Sequence, residues 1–306
     1  GIALLSNWWP GDKRGFATGF ANGFSGFGQV FAALTVSLAF IVIPGFGWKS
    51  GFILPAAFMV VAGLLYIFIA KDSPKKIGLK EYVDKDAKRN EQDAELKTLV
   101  AEHGKLFPYL YLLKKWRFDC WLLIIAASSI ARYGLLTWVP TYYVQEFGVD
   151  IKDGALGTVL LPLGMAVGTI VIPWISDKFF AENRLPMVII CAGVAGVTVF
   201  TFMKVEPGFA AGALLFIAGF FIYAINGLVW AYATDVGGRA FAGTAAGVLD
   251  CFAYLGASVQ AIYFGSVLTN SGNWTLVFTA IAGVCAAMII ISIIAGWGLG
   301  KKKELA

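Results

Sequence analysis

The sequence predicts an all-α membrane protein, because long apolar stretches recur along it and charged residues are scarce. Hydrophobic residues make up 58% of the 306 residues and charged residues only 14%, whereas a soluble domain carries about 25% charged residues. The apolar stretches are about 20 residues long or longer, which is the length that an α-helix needs to cross the hydrocarbon core of a bilayer. Backbone polar groups in lipid must be paired within the chain, so these stretches are predicted to be spanning helices.

Eight full spans are predicted from the positions of the apolar stretches. They cover residues 16–42, 52–71, 118–145, 154–176, 187–203, 210–235, 241–268 and 275–299. Residues 1–10 have the character of the end of a further span, with neither an initiator Met nor the basic segment of a signal peptide. The chain is therefore expected to lack its N-terminal helices.

The lysine and arginine residues are concentrated in alternate loops, which predicts an orientation. Of the 24 basic residues, 20 lie on one side, Lys49, Lys152 and Lys204 lie on the other, and Arg132 lies inside a span. Because basic loops remain in the cytoplasm, we expect a multi-pass protein of the cell inner (plasma) membrane whose linker and C-terminus are cytoplasmic. The net charge of +5 follows from this topology and implies no nucleic-acid partner.

One long polar segment, residues 72–117, divides the spans into two groups. It contains 11 Lys or Arg and 8 Asp or Glu residues, and its part from 105 to 116 has leucines at the spacing of an interfacial helix. The predicted division is 1–71, the C-terminal part of an N-terminal bundle; 72–117, a cytoplasmic linker; 118–300, a six-helix bundle; and 301–306, a cytoplasmic tail.

The sequence does not favour an enzyme. The four cysteines lie in different spans without the spacing of a zinc site or a disulfide framework. The single histidine, His103, lies in the linker, so neither a histidine-based triad nor a metal site can be assembled. We therefore predict no catalytic residue, no metal and no cofactor.

Arg132 is the most informative residue, because a guanidinium near the bilayer centre costs several kcal/mol unless a partner, water or ligand offsets it. It follows Arg117 by 15 residues, or about 22 Å of helix. Its planar fork of donors suits phosphate or carboxylate, so substrate binding is favoured over a structural ion pair.

Asp250 is predicted at a similar depth in another span. It follows Arg239 by 11 residues, about 16 Å of helix. Three roles remain open: structural partner of Arg132, proton-coupling acid, or direct contact with substrate.

Two predicted spans carry a polar face at helical spacing, which either hydrogen-bonds to a neighbouring helix or lines a cavity. The residues are Thr18, Asn22, Ser25 and Gln29 in span 16–42, and Tyr223, Asn226, Trp230 and Thr234 in span 210–235.

Two charged segments lie at predicted cytoplasmic ends of spans. Asp235 precedes Arg239 by four residues, and Asp177 and Arg184 flank a short loop. These residues are candidates for gating contacts, with control of topology as the alternative.

A stretch beginning at Arg132 resembles the seventh-helix signature of the organophosphate:phosphate antiporter family (glycerol-3-phosphate and hexose-phosphate transporter-like) within the major facilitator superfamily. The matching residues are Arg132, Tyr133, Gly134, Leu136, Trp138, Pro140, Thr141 and Tyr142. Further resemblance lies at Trp8–Gly15, Ser176–Arg184, Gly219–Tyr223 and Gly243–Gly256.

This resemblance implies a major facilitator superfamily helical bundle of twelve helices, of which the first three and most of the fourth are missing here, and it implies alternating access. We expect a functional monomer. The resemblance also implies that Arg132 binds phosphate together with an arginine of helix 1. Ser25 stands where glycerol-phosphate carriers of the family have a histidine, and Asp250 where they have a small residue. Both differences make the site less cationic, so we expect a substrate other than glycerol 3-phosphate.

The leading hypothesis is exchange of a sugar or polyol phosphate for inorganic phosphate. The alternatives are proton-coupled symport of a carboxylate or sugar acid, with Asp250 carrying the proton, and a non-transporting membrane sensor of sugar phosphates. The predicted substrate-binding residues are Arg132, Tyr133, Asn22, Ser25, Tyr223, Asn226 and Trp138; Asp250 is the coupling or ion-pair residue; and the gating residues are Asp177, Arg184, Asp235 and Arg239.

Overall fold

The computed structural model describes residues 2–9, 14–79, 94–95, 98–104, 106–148, 159–180 and 183–297, and helices account for most of them. We number the α-helices in chain order. They are α1 (Ile2–Trp8), α2 (Arg14–Val42), α3 (Ser50–Ile69), α4 (Phe107–Leu113), α5 (Trp116–Phe147), α6 (Leu160–Phe179), α7 (Leu185–Phe202), α8 (Phe209–Gly238), α9 (Ala240–Ser271) and α10 (Trp274–Gly296). Short 3-10 helices cover Pro44–Lys49 and Pro74–Ile77.

Seven helices in the described part of the chain, α3 and α5 to α10, are long and apolar enough to cross a membrane. The 29-residue helix α2, which the sequence also predicts as a span, contains a shorter apolar stretch at Gly23–Val36. The helices follow the predicted spans in order, and the all-helical fold class is confirmed. Residues 154–158 of the fourth predicted span and the tail at 301–306 lie outside the described residues.

The break between α8 and α9 lies at a glycine, Gly238, where the sequence predicts a short loop. Gly238 has φ 55° and ψ −150°, a backbone conformation that only glycine adopts without strain. The helical structure therefore extends almost without a gap from Phe209 to Ser271, and the break lies at a glycine that adopts this conformation without strain.

Small residues allow the helices around the centre of the fold to touch backbone to backbone. A Cβ atom at Gly168 of α6 would collide with the carbonyl oxygen of Phe220 in α8, and one at Gly256 of α9 would collide with the carbonyl oxygen of Ala126 in α5. Such close approach is typical of membrane helix pairs. It places α5, α6, α8 and α9 side by side.

Two buried hydroxyl groups help to fix α8 against its neighbours. Thr169 of α6 donates a hydrogen bond to the carbonyl oxygen of Tyr223 at 2.8 Å, and Ser128 of α5 donates one to the carbonyl oxygen of Ile222 at 3.4 Å. Both acceptors lie in one turn of α8, so the position of Tyr223 is held from two sides.

Helix α2 packs on the same group of helices. Its Gly23 lies against Ala166 and Ile170 of α6, and its Phe31 ring contacts the ring of Phe58 in α3, with centroids 5.5 Å apart. Ser25, on the polar face of α2, accepts a hydrogen bond from Tyr223 of α8, so this face lies towards α8.

Candidate functional site

A polar cavity of about 170 Å³ lies between α2, α5, α8 and α9. Its volume is below the roughly 300–1,000 Å³ of pockets that hold drug-sized ligands, which suits a small polar solute. The lining residues are Ser25, Ser129, Arg132, Tyr133, Tyr223, Asn226, Trp230, Asp250, Ala253 and Tyr254.

The Arg132 guanidinium is held by aromatic ring faces. Its ζ-carbon lies 4.2 Å from the ring centroid of Tyr223 and 4.7 Å from that of Tyr133, distances at which a cation is attracted to a ring face. The buried Nε atom has no hydrogen-bond acceptor among the residues that the structure describes. The guanidinium therefore forms no ion pair with a carboxylate of the described residues.

Asp250 lines the same cavity from α9. The ion pair with Arg132, one of the roles expected for Asp250, is not formed, because the guanidinium lies over the two tyrosine rings instead. The carboxylate has no other ion pair or hydrogen bond within the described ranges. The cavity thus contains one cation and one anion, which attract each other without forming an ion pair.

Tyr223 connects the arginine to α2. Its hydroxyl group donates a hydrogen bond to Oγ of Ser25 at 3.1 Å, while its ring face contacts the Arg132 guanidinium. One side chain of α8 therefore touches both α2 and the charged group of α5.

Four lining residues were not among the predicted site residues: Ser129, Trp230, Ala253 and Tyr254. Three of them lie one helical turn from a predicted residue, since Ser129 precedes Arg132 by three positions, Trp230 follows Asn226 by four and Tyr254 follows Asp250 by four. Side chains three or four residues apart share a helix face, so this spacing could have identified the three residues as part of the site. The Ser129 hydroxyl is buried without a partner in the described part.

Trp138, predicted as a site residue, does not line the cavity. Its indole Nε1 donates a hydrogen bond to Oε1 of Gln260 at 3.0 Å, and its ring lies 6.5 Å from that of Trp274. Six residues separate it from Arg132, which rotates the side chain by about 240° around the helix. The side chain of Asn22 lies outside the described residues.

Three of the four predicted gating residues, Asp177, Arg184 and Asp235, form one charged cluster. Arg184 donates from Nη1 to Asp177 at 2.6 Å and from Nε to Asp235 at 2.9 Å, joining the ends of α6 and α8 just before α7 begins. Arg184 is only 8% exposed. Burial lowers the pKa of its guanidinium, but the two carboxylates outweigh burial and the net pKa is raised. The side chain of Arg239 lies outside the described residues.

Within the described ranges, no three His, Cys, Asp or Glu side chains cluster as a metal site would require. The cavity therefore offers hydrogen bonds and charge as its chemistry. Hydroxyl, amide and indole groups surround one guanidinium and one carboxylate, an arrangement that can hold a small charged solute.

Comparison with known proteins finds similarity to a transporter superfamily, to individual transporters and to a membrane sensor. The family model described as Major Facilitator Superfamily matches residues 1–261. The glycerol-3-phosphate transporter of Bacillus subtilis (strain 168) is 29% identical, over 98% of this chain and 67% of its own length. The probable sulfoacetate transporter SauU of Cupriavidus necator is 28% identical, over 89% and 62%. The membrane sensor protein UhpC of Salmonella typhimurium is 28% identical, over 94% and 65%. The chain spans about two thirds of the length of these relatives.

Proposed function

Because this chain belongs to the Major Facilitator Superfamily, we propose that it acts as a secondary transporter that exchanges an organophosphate for inorganic phosphate by alternating access. Its relatives include transporters of phosphorylated solutes, which confirms the resemblance to the organophosphate:phosphate antiporter family. It is a multi-pass membrane protein and not an enzyme.

The proposal depends on one observation, namely the surroundings of the Arg132 guanidinium. Its guanidinium lies at a polar cavity, is contacted by two tyrosine rings and has no acidic partner in the described part of the chain. Arginine binds phosphate oxygens in a planar, two-pronged arrangement, and a hydrogen bond to a charged group contributes about 1.5–3 kcal/mol. An anionic phosphate at this position would neutralise the arginine and gain affinity from it.

The test is to replace Arg132 with Lys and to measure phosphate exchange in vesicles that contain the reconstituted protein. We expect exchange to be lost while membrane insertion is retained, because lysine is a point charge that cannot form the two-pronged contact. Arg117→Lys, near the start of α5 and outside the cavity, is the matched control and should exchange phosphate normally. Normal phosphate exchange by the Arg132 variant would contradict the proposal.

The transport cycle that we propose moves two groups of helices against each other. Residues 1–71 and 118–300 form the two groups, and residues 72–117 form a cytoplasmic linker in the inner membrane protein. The charged cluster of Asp177, Arg184 and Asp235 serves as a gating contact at the cytoplasmic end. The hydrogen bond between Ser25 and Tyr223 joins the two groups at the cavity and supports this arrangement.

Proton-coupled symport of a carboxylate or sugar acid is a second candidate, favoured by one observation. The Asp250 carboxylate lies in the cavity without a protein partner among the described residues, so it is available to carry a proton. Under symport, Asp250→Asn should stop uptake and remove its pH dependence. Under exchange, uptake should remain independent of a proton gradient.

A membrane sensor is the third candidate, favoured by the similarity to the sensor protein UhpC. Sensing and transport are separated by measuring ligand binding and vesicle uptake on the same preparation. A sensor should bind a sugar phosphate without carrying it into the vesicle.

A further inference from the structure

We infer that Asp250 determines which phosphate esters the cavity accepts: it selects a tail that carries hydroxyl donors and rejects a tail that carries a second anionic group. This inference rests on the proposed function, because it takes Arg132 as the group that binds the phosphate. It goes beyond that proposal by naming the substrate class and the residue that sets it.

The cavity is lined by one positive and one negative side chain, and the two do not form an ion pair. In the part of the chain that the structure describes, Arg132 is the one cation and Asp250 the one anion among the ten lining residues. The two come from different helices, α5 and α9, and do not contact each other. A solute in this cavity therefore meets a cationic region and an anionic region at the same time.

The remaining lining groups cannot offset a second anion. They are hydroxyl, amide, indole and alanine side chains, and Tyr254 lies one helical turn from Asp250 on the same face of α9. With its phosphate at Arg132, a substrate tail extends towards groups that can accept or donate hydrogen bonds. A tail hydroxyl can donate to the Asp250 carboxylate, whereas a tail carboxylate would repel it.

The specificity expected from this arrangement is large enough to measure. Placing like charges next to each other weakens binding at least tenfold. Asp250 thus acts by attraction to one class of tail and by repulsion of the other.

The experiment uses two probes that differ at one end of the molecule. Glycerol 3-phosphate ends in a hydroxymethyl group, and 3-phosphoglycerate carries a carboxylate at the same position. Each is added to vesicles containing the full chain, and its inhibition of labelled phosphate uptake is measured. For the unmodified protein we expect glycerol 3-phosphate to inhibit at least tenfold more strongly.

Replacing Asp250 with Asn should move the two inhibition constants in opposite directions. Inhibition by glycerol 3-phosphate should weaken and inhibition by 3-phosphoglycerate should strengthen. The preference for glycerol 3-phosphate, measured as the ratio of the two inhibition constants, should therefore fall at least tenfold. A residue with a merely structural role would shift both constants in the same direction. Asp119→Asn removes an exposed carboxylate near the start of α5, outside the cavity, and should leave the ratio unchanged.

Two results would overturn the inference. One is equal inhibition by the two probes in the unmodified protein, which needs no variant to fold. The other is an unchanged ratio in Asp250→Asn. Either result leaves the proposed function standing as long as phosphate exchange still depends on Arg132, whereas normal exchange by Arg132→Lys would remove the function itself.

Discussion

Two tyrosine rings, rather than a carboxylate, surround the guanidinium of Arg132. A ring face stabilises a cation without using its N–H donors, whereas an acidic partner would occupy them. The centroid distances of 4.2 and 4.7 Å therefore describe an arginine that is stabilised and still able to bind an oxyanion. Tyr223 also connects the arginine to α2, since its hydroxyl donates a hydrogen bond to Ser25.

Two substitutions of Tyr223 should separate the contribution of its ring to stability from that of its hydroxyl group. Tyr223→Phe keeps the ring and removes one hydrogen bond, so we expect a loss of about 0.5–1.5 kcal/mol of stability. Tyr223→Leu also removes the cation–π contact, which adds about 0.5–2 kcal/mol. Thermal unfolding in detergent measures both losses.

Ser25→Ala provides the matched control, because it removes the same hydrogen bond from the other side. Ser25→Ala should cost about as much as Tyr223→Phe, and the double variant should cost no more than either alone, as expected for two partners in one contact. Equal losses for Tyr223→Phe and Tyr223→Leu would show that the ring does not stabilise the guanidinium.

The helices are positioned by the glycines at their contacts. Gly168 of α6 and Gly256 of α9 lie against main-chain carbonyl groups of neighbouring helices, so they allow an approach that any Cβ would prevent. These contacts bring α5, α8 and α9 close enough to share one cavity. The geometry of the site thus depends on residues that do not line it.

Gly256→Ala should destabilise the protein by about 1–3 kcal/mol, since a Cβ collides with the backbone of Ala126 and overpacking forces the helices apart. The matched control is Gly247→Ala on the same helix, where a Cβ meets no atom within 4 Å. That change should be neutral or stabilise by about 0.4–1 kcal/mol. Thermal unfolding of the two variants compares them directly, and equal effects would contradict the packing argument.

The charged cluster at the ends of α6 and α8 and the start of α7 should contribute to the stability of the fold. Arg184→Gln removes the shared partner of Asp177 and Asp235, leaving two carboxylates side by side. Breaking a buried ion pair costs about 3–5 kcal/mol, and the partial exposure of the carboxylates, 18% and 36%, places the expected loss at or below about 3 kcal/mol.

Lys178→Gln is the control for this cluster, because Lys178 is an exposed cation on the same turn. It should change stability by about 0.5 kcal/mol or less. Chemical denaturation measures both variants. A loss for Arg184→Gln no greater than that of the control would show that the cluster contributes little to the folded state.

Helix positions and faces could be predicted from the sequence, but the contacts between helices could not. The predicted spans and the observed helices agree closely because length and hydropathy decide where a spanning helix lies. Ser128 and Ser129 precede Arg132 by four and three positions, a spacing that brings both near it on the helix. Only Ser129 reaches the cavity, while Ser128 donates a hydrogen bond to α8. The rotation of one helix relative to the next depends on packing that a sequence pattern does not encode.

The charged cluster shows the same limit for pairs that are distant in sequence. Asp177 with Arg184, and Asp235 with Arg239, were predicted as separate local groups. The structure joins Asp235 to Arg184, 51 positions apart, because α6 and α8 pack against each other.

The distribution of basic residues gives the whole molecule an electrical asymmetry along the membrane normal. Lys71, Lys75 and Lys76 follow α3, whereas Lys204 follows α7. Basic loops resist translocation, so the end of the molecule with more lysine and arginine should stay in the cytoplasm. This one asymmetry predicts the orientation of every helix.

Single cysteines at Lys75 and Lys204 should report this orientation, since both lysines are exposed in loops. We expect Lys204→Cys to react with a membrane-impermeant maleimide in intact cells, and Lys75→Cys to react only in inverted vesicles, because only the loop with few basic residues is translocated. The unmodified chain measures the background from its four cysteines, of which Cys191 and Cys285 are buried. The opposite labelling pattern would reverse the assignment of the cytoplasmic side, and with it the cytoplasmic position proposed for the Arg184 cluster, without altering the cavity between the helices.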